Sequence, residues 1–179
     1  MGLIDFVKNV GKKLDLNKDD DHQPQQGSQA KPAAAAGPTQ QQVAQTQERK
    51  REAALVAVIN HMGFKVRDLA VDIEGDKALV RGAVDTQEER EKVILLTGNT
   101  DGIASVDDRI EVSRPEPEAQ YYDVKPGDSL SKIAKQFYGD ANKYNVIFEA
   151  NRPLIKDADD IYPGQKLRIP AVAAAGTHA

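Results

Sequence analysis

Two glycines four positions apart, Gly98 and Gly102, bracket Asn99-Thr100-Asp101 and lead into Ile103-Ala104-Ser105-Val106-Asp107-Asp108. Glycine accepts φ > 0, so a loop closed between two of them can turn its carbonyl oxygens towards a common point. Converging carbonyl dipoles suit a weakly hydrated cation such as K+, whose water shell they replace. The same residues also fit a helix that ends at Gly98 as its C-cap, followed by a turn into a strand. On the local sequence both readings stand.

Other chemistries find less support. The three histidines, His22, His61 and His178, fall in a low-complexity run, near a helix end and in the C-terminal tail. No nucleophile–base pairing or P-loop is visible, and Ser129 and Ser131 fit helix-start roles, so the chain reads as a binder and not an enzyme. There is no cysteine, which excludes disulfides, thiolate metal sites and a Cys nucleophile. A net charge of −4 leaves no electrostatic footprint for nucleic acid. The 179 residues allow one ordinary domain or two small ones, and 29% charged against 5% aromatic residues points to small cores plus some disorder. The N-terminus has no uninterrupted apolar core or small-residue cleavage site of a signal peptide, and no stretch approaches a membrane span. The expectation is a soluble, cytoplasmic monomer.

The elements that would carry the loop are legible in order. Residues 1–16 open with Leu3, Val7, Val10 and Leu14 at helical spacing, with Phe6 beside them and Lys8, Lys12 and Lys13 opposite. Such a short amphipathic helix needs a surface to pack on, and docking on the rest of the chain is favoured over contact with an anionic membrane. Residues 17–47 are rich in Gln, Ala, Pro and Asp and read as a disordered tether. From residue 48 to 113 the pattern is helix (Leu55, Val58, Ile59, Met62), strand (Leu69, Val71, Ile73), a turn at Glu74-Gly75-Asp76-Lys77, a return strand (Ala78, Val80, Gly82), a second helix and a third strand (Val106, Ile110, Val112). Asp85 with Glu88 fits a capping box for that second helix. Residues 114–119 are a short Pro-punctuated linker. Residues 120–170 follow as strand, helix, helix, strand, with Asp128 fitting the N-cap of the first helix and Gly139 its end. Residues 171–179 read as a disordered tail.

The segment Ala78-Leu79-Val80-Arg81-Gly82-Ala83-Val84, the helix from Thr86 and the run Gly102–Asp108, in that order, resemble a BON domain. Val124, Gly127-Asp128-Ser129-Leu130, Ile133-Ala134, Asn151 and Ile161-Tyr162-Pro163-Gly164-Gln165-Lys166-Leu167 resemble a LysM module. The fold class implied is α+β: a BON domain (αββαβ) and a LysM domain (βααβ), preceded by the helix and tether. LysM modules bind N-acetylglucosamine polymers such as peptidoglycan. The resemblance carries that groove onto Gly127, Asp128, Ser129, Leu130, Ile161, Tyr162, Pro163 and Gly164, residues that otherwise only build turns and a small core. BON domains elsewhere accompany envelope proteins, and some touch phospholipid.

Taken as a whole, the chain is similar to a family of small cytoplasmic potassium-binding proteins of enteric bacteria. The shared residues include Met1-Gly2-Leu3, Phe6-Val7-Lys8, Gly98-Asn99, residues 102–108 and Ile147-Phe148-Glu149-Ala150-Asn151. That likeness implies K+ bound at the BON unit, with a more compact protein when it is bound. The ligands expected are backbone carbonyls of Gly98, Thr100, Ile103 and Ser105 in the loop, completed by Val7 and Val10 at the end of the first helix, where unpaired carbonyls favour a cation. Asp101, Asp107 and Asp108 would add only long-range attraction. Carboxylate ligation would suit Ca2+ or Mg2+ better. Asp107 and Asp108 are read as an ordinary solvated strand edge.

Overall fold

The computed structural model describes residues 2–6 and 39–171. The first unit begins with β1 (Gly2–Asp5), then α1 (Gln40–His61), β2 (Arg67–Glu74), β3 (Lys77–Thr86), α2 (Gln87–Gly98) and β4 (Ser105–Arg114). Its four strands form one sheet in the order β1-β4-β3-β2. β3 and β4 run parallel, so α2 is their crossover. β2 pairs antiparallel with β3 through the tight turn at Gly75-Asp76, and β1 pairs antiparallel with the free side of β4. Leu55 and Ile59 of α1, Val93–Leu96 of α2, and Val71, Ile73, Val80, Val84, Val106 and Ile110 of the sheet share one apolar core.

Three sequence expectations change here. Gly2–Asp5 is a strand and not the start of a helix. Helical spacing over residues 2–6 rests on too few residues to outweigh the unpaired backbone edge of β4, and Ile4 and Phe6 meet the core at the two-residue period of a strand. Val7, Val10 and the rest of residues 7–38, including most of the expected tether, lie outside the described residues, as does most of the expected tail. Residues 40–47, assigned to the tether by composition, are the first two turns of α1. Thr39 and Gln42 form a capping box there, and Gln and Ala propagate a helix well once it is nucleated by the apolar stripe downstream. The cap of α2 is Thr86, accepting from the Glu89 N–H at 3.2 Å, while Asp85 faces Arg67 instead.

The second unit holds β5 (Gln120–Asp123), α3 (Leu130–Tyr138), a 3-10 turn at Ala141–Lys143, α4 (Tyr144–Ala150) and β6 (Lys166–Ile169). β5 and β6 form an antiparallel ribbon. Val124, Leu130, Ile133, Ala134, Ile147, Ile155, Leu167 and Ile169 close a second, smaller core. Gly139 ends α3 in the left-handed conformation, as its position predicts. Ser129, and not Asp128, caps α3. The Asp128 carboxylate is already taken by the Lys125 N–H at 2.9 Å and the Tyr122 hydroxyl at 2.8 Å.

Candidate functional site

The loop between α2 and β4 is wound tightly onto the helix it follows. The Asn99 N–H reaches the Leu95 carbonyl at 2.9 Å, Thr100 N–H the Thr97 carbonyl at 3.2 Å, and Ile103 N–H the Thr100 carbonyl at 3.3 Å. The Thr97 and Thr100 hydroxyls donate to the Val93 and Leu96 carbonyls at 2.9 and 2.8 Å. The Thr100 and Ile103 side chains are fully buried. Ser105 lies further on, as the first residue of β4, opposite Asp5 on one side and Lys77 on the other.

The two glycines turn out to have different reasons. Gly102 has φ +78°, the left-handed turn its type suggests. Gly98 is the last residue of α2, with ordinary helical backbone and not the left-handed C-cap. It is glycine because the Phe6 ring lies flat against it: a Cβ there would stand 2.1 Å from Phe6 Cζ. The Phe6 N–H donates to the Ala104 carbonyl at 2.7 Å, so residues 2–6 and the loop form one surface.

The hairpin turn of β2–β3 completes the rim, a neighbour that local sequence did not suggest. The Asp76 carbonyl accepts from the N–H groups of Ala104 at 2.7 Å and Ser105 at 3.3 Å. From α1, Glu48 accepts from the Gly75 N–H at 3.1 Å and Glu52 from the Ile73 N–H at 2.8 Å. Arg51 donates to the Gly75 carbonyl at 3.1 Å and the Asp101 carbonyl at 3.5 Å. Residues 48, 51 and 52 continue the helical face of Leu55 and Ile59. Charges on an extended apolar stripe were the available clue.

Asp108 is also not where its type suggested. Val106, Asp108 and Ile110 alternate onto the inner face of β4, and Asp108 is 2% exposed. Its carboxylate accepts from Arg90 Nε at 2.7 Å and from the Ile110 N–H at 3.0 Å. Asp107 does face outwards, with Arg109 at 3.2 Å and Lys77 at 3.8 Å.

The second unit is joined to the same place. Asn99 donates to the Lys166 carbonyl and accepts from the Lys166 N–H, each at 3.0 Å, filling the backbone edge of β6 that faces away from β5. The Lys166 ammonium is paired with Asp123 at 2.8 Å and stands 5.4 Å from the centre of the Phe6 ring. Two turns back along α2, Glu91 accepts from Arg168 Nε at 2.5 Å, from the Ala119 N–H at 2.9 Å and from Gln87 at 3.0 Å. Glu91 and Arg168 are both buried, so each charge depends on the other.

At the far end of the β5–β6 ribbon, the Gly164 N–H donates to Val124 and the Val124 N–H to Gln165. These bonds set residues 127–130 and 161–164 at the same end of the module. Gly127 and Pro163 are exposed, Asp128, Ser129, Ile161, Tyr162 and Gly164 half-buried. The Leu130 side chain is in the core, so only its backbone could meet a ligand. The hydrogen bond from Lys125 holds the Asp128 carboxyl below its usual range, and burial pushes the Tyr162 phenol up to about 12.

Residues 46–114 match the BON domain family and residues 122–170 the LysM domain family. The chain is 42% identical over 177 residues to the potassium binding protein Kbp of Escherichia coli O6:H1, covering 95% of this chain and 99% of that one. The chain belongs to the Kbp family. Two further relatives are partial. An uncharacterized protein of Deinococcus radiodurans is 39% identical over 107 residues, 54% of this chain and 42% of that one. The uncharacterized protein YqbP of Bacillus subtilis is 41% identical over 58 residues, 27% of this chain and 26% of that one. The Kbp likeness therefore spans both units and the junction between them. No helix among the described residues is long and apolar enough to cross a membrane.

Proposed function

We propose that the chain is a cytoplasmic potassium-binding protein, a K+ sensor or buffer, and not an enzyme. Backbone carbonyls of Gly98, Thr100, Ile103 and Ser105 are the ligands from the loop, with Val7 and Val10 supplying the others from the segment that follows Phe6. Bound K+ draws the N-terminal segment, the BON unit and the LysM unit together. The observation that carries this reading is the junction itself. One short loop touches all three parts: Phe6 packs on Gly98 and bonds Ala104, and Asn99 bonds Lys166. An ion bound there stabilises every contact that holds the loop in place. The name of the Escherichia coli relative supports K+ as the ion.

The test is a thermal melt of the full chain in choline chloride, titrated with KCl, RbCl or NaCl at constant ionic strength. A ligand that binds only the folded state stabilises it by RT ln(1 + [L]/Kd), about 2.7 kcal/mol at a hundredfold excess. A saturable rise in Tm with K+ and Rb+ but not Na+ is expected. Equal responses to all three cations would overturn the reading.

A second reading, contact with an N-acetylglucosamine polymer such as peptidoglycan, draws support from the exposed turn and loop at the end of the LysM ribbon. Co-sedimentation with purified peptidoglycan, lost in a variant of the exposed Pro163, Pro163→Glu, tests it.

A further inference from the structure

We propose that Arg51 sets the charge selectivity of the cation site: its guanidinium is a fixed positive charge on the rim that turns divalent cations away while K+ is admitted. The proposal rests on the potassium reading of the loop and adds the residue that decides which valence enters.

Arg51 reaches from α1 across the two backbone segments of the rim. Nη1 donates to the Gly75 carbonyl at 3.1 Å and Nη2 to the Asp101 carbonyl at 3.5 Å. The approach is close enough that a Cβ on Gly102 would lie 2.7 Å from Nη2. Among the described residues no carboxylate forms an ion pair with it. Glu48 and Glu52, its neighbours on the helix, are turned to the N–H groups of Gly75 and Ile73. Among the described residues, the donors of Arg51 therefore meet neutral carbonyls and no contacting anion cancels its charge. Among the described residues, Lys166 at the junction is held by Asp123 and Arg168 by Glu91.

The surroundings explain why such a charge is needed. Glu48, Glu52 and Asp101 all stand on this rim, and a carbonyl loop flanked by carboxylates attracts a divalent ion more than a monovalent one, because the Coulomb energy scales with the ion's charge. Repulsion from Arg51 scales in the same way. If removing that charge multiplies the affinity for K+ by a factor f, it multiplies the affinity for Mg2+ or Ca2+ by f squared. Any loosening of the loop lowers all affinities together and cancels in their ratio.

The experiment compares the full wild-type chain with Arg51→Gln and Arg51→Lys by thermal melts at constant ionic strength, titrated separately with KCl, MgCl2 and CaCl2. Wild type responds to K+ and far less to the divalent ions. In Arg51→Gln the ratio of divalent to K+ affinity rises by about tenfold or more, while Arg51→Lys, which keeps the charge and loses the fork, restores the wild-type ratio. Should Arg51→Gln fold poorly, Arg51→Met, which removes the same charge and keeps the length of the side chain, is measured in its place. An unchanged ratio in Arg51→Gln, or in Arg51→Met where that variant stands in for it, overturns the proposal, as does a wild type that takes Mg2+ or Ca2+ as readily as K+. A wild type with no K+ response defeats the potassium reading itself, and does so before any substitution is made.

Discussion

Asn99 and Asn151 do the same thing at adjacent places on β6, yet one builds a module and the other joins two. Asn151, from the end of α4, donates to the Arg168 carbonyl and accepts from the Arg168 N–H, both at 2.8 Å. Asn99, from the end of α2, does the same at Lys166 across the boundary between units. In each case a side-chain amide stands in for a neighbouring strand and satisfies an edge that would otherwise be buried unpaired. Asn151 also donates to Ile147 within its own helix, so it is fixed whether or not the BON unit is present. Asn99 is fixed only through α2. A strand edge inside the second module is thus completed from outside it, by the residue next to Gly98, and the state of the loop and the position of the second unit become one question.

The largest break in this comparison is at Glu91, which holds the Arg168 side chain of β6 from α2. Glu91→Ala strands the buried Arg168 charge and the Ala119 N–H, and should cost about 3–5 kcal/mol in urea unfolding. A cost under about 1 kcal/mol would mean that water reaches the junction freely. Asn151→Ala leaves two backbone groups of Arg168 unpaired and should cost about 2–4 kcal/mol, melting the second unit. Asn99→Ala uncovers the equivalent groups at Lys166, but the units can part and admit water, so about 1–2 kcal/mol is expected. Its main effect should be faster amide exchange at Lys166 and a larger radius of gyration. Equal effects from the two variants would erase the distinction drawn between them.

Smaller effects sharpen the picture. Gly98→Ala improves helix propensity by up to about 1 kcal/mol but collides with Phe6. The expected result is loss of exchange protection across Gly2–Asp5 with little change elsewhere, and a second change, Phe6→Ala, should bring no further loss of global stability. The smallest effect is acidic. The Lys125 hydrogen bond lowers the Asp128 pKa below its ordinary 3.8, so its contribution is present above that value and fades as pH falls through the folded pKa. Asp128→Asn should flatten the stability of the second unit in that acidic range, read from melts at stepped pH.

Much of the architecture was legible because it depends on near neighbours. The stripe Leu55, Val58, Ile59 and Met62, the turn at Gly75-Asp76 and the stop at Gly139 follow from backbone periods and glycine's conformations. The capping residues were misread by one position at both Asp85 and Asp128. Adjacent residues of similar chemistry compete for a cap, and distant partners decide: Arg67 takes Asp85, and Tyr122 with Lys125 takes Asp128. Asp108 read as a solvated residue because Arg90, eighteen positions away, could not be placed opposite it from type alone.

By itself, the sequence determined the two units, their element order and the loop worth testing, since each is written in periodicity and turn residues over a few dozen positions. Tertiary structure alone decided what meets at that loop. Phe6 became the reason for Gly98, a hairpin turn became part of the rim, and Asn99 became the tie to the second unit. Those roles arise from contacts between residues tens of positions apart, where the same side chain serves as cap, core or bridge according to the backbone that folding brings against it.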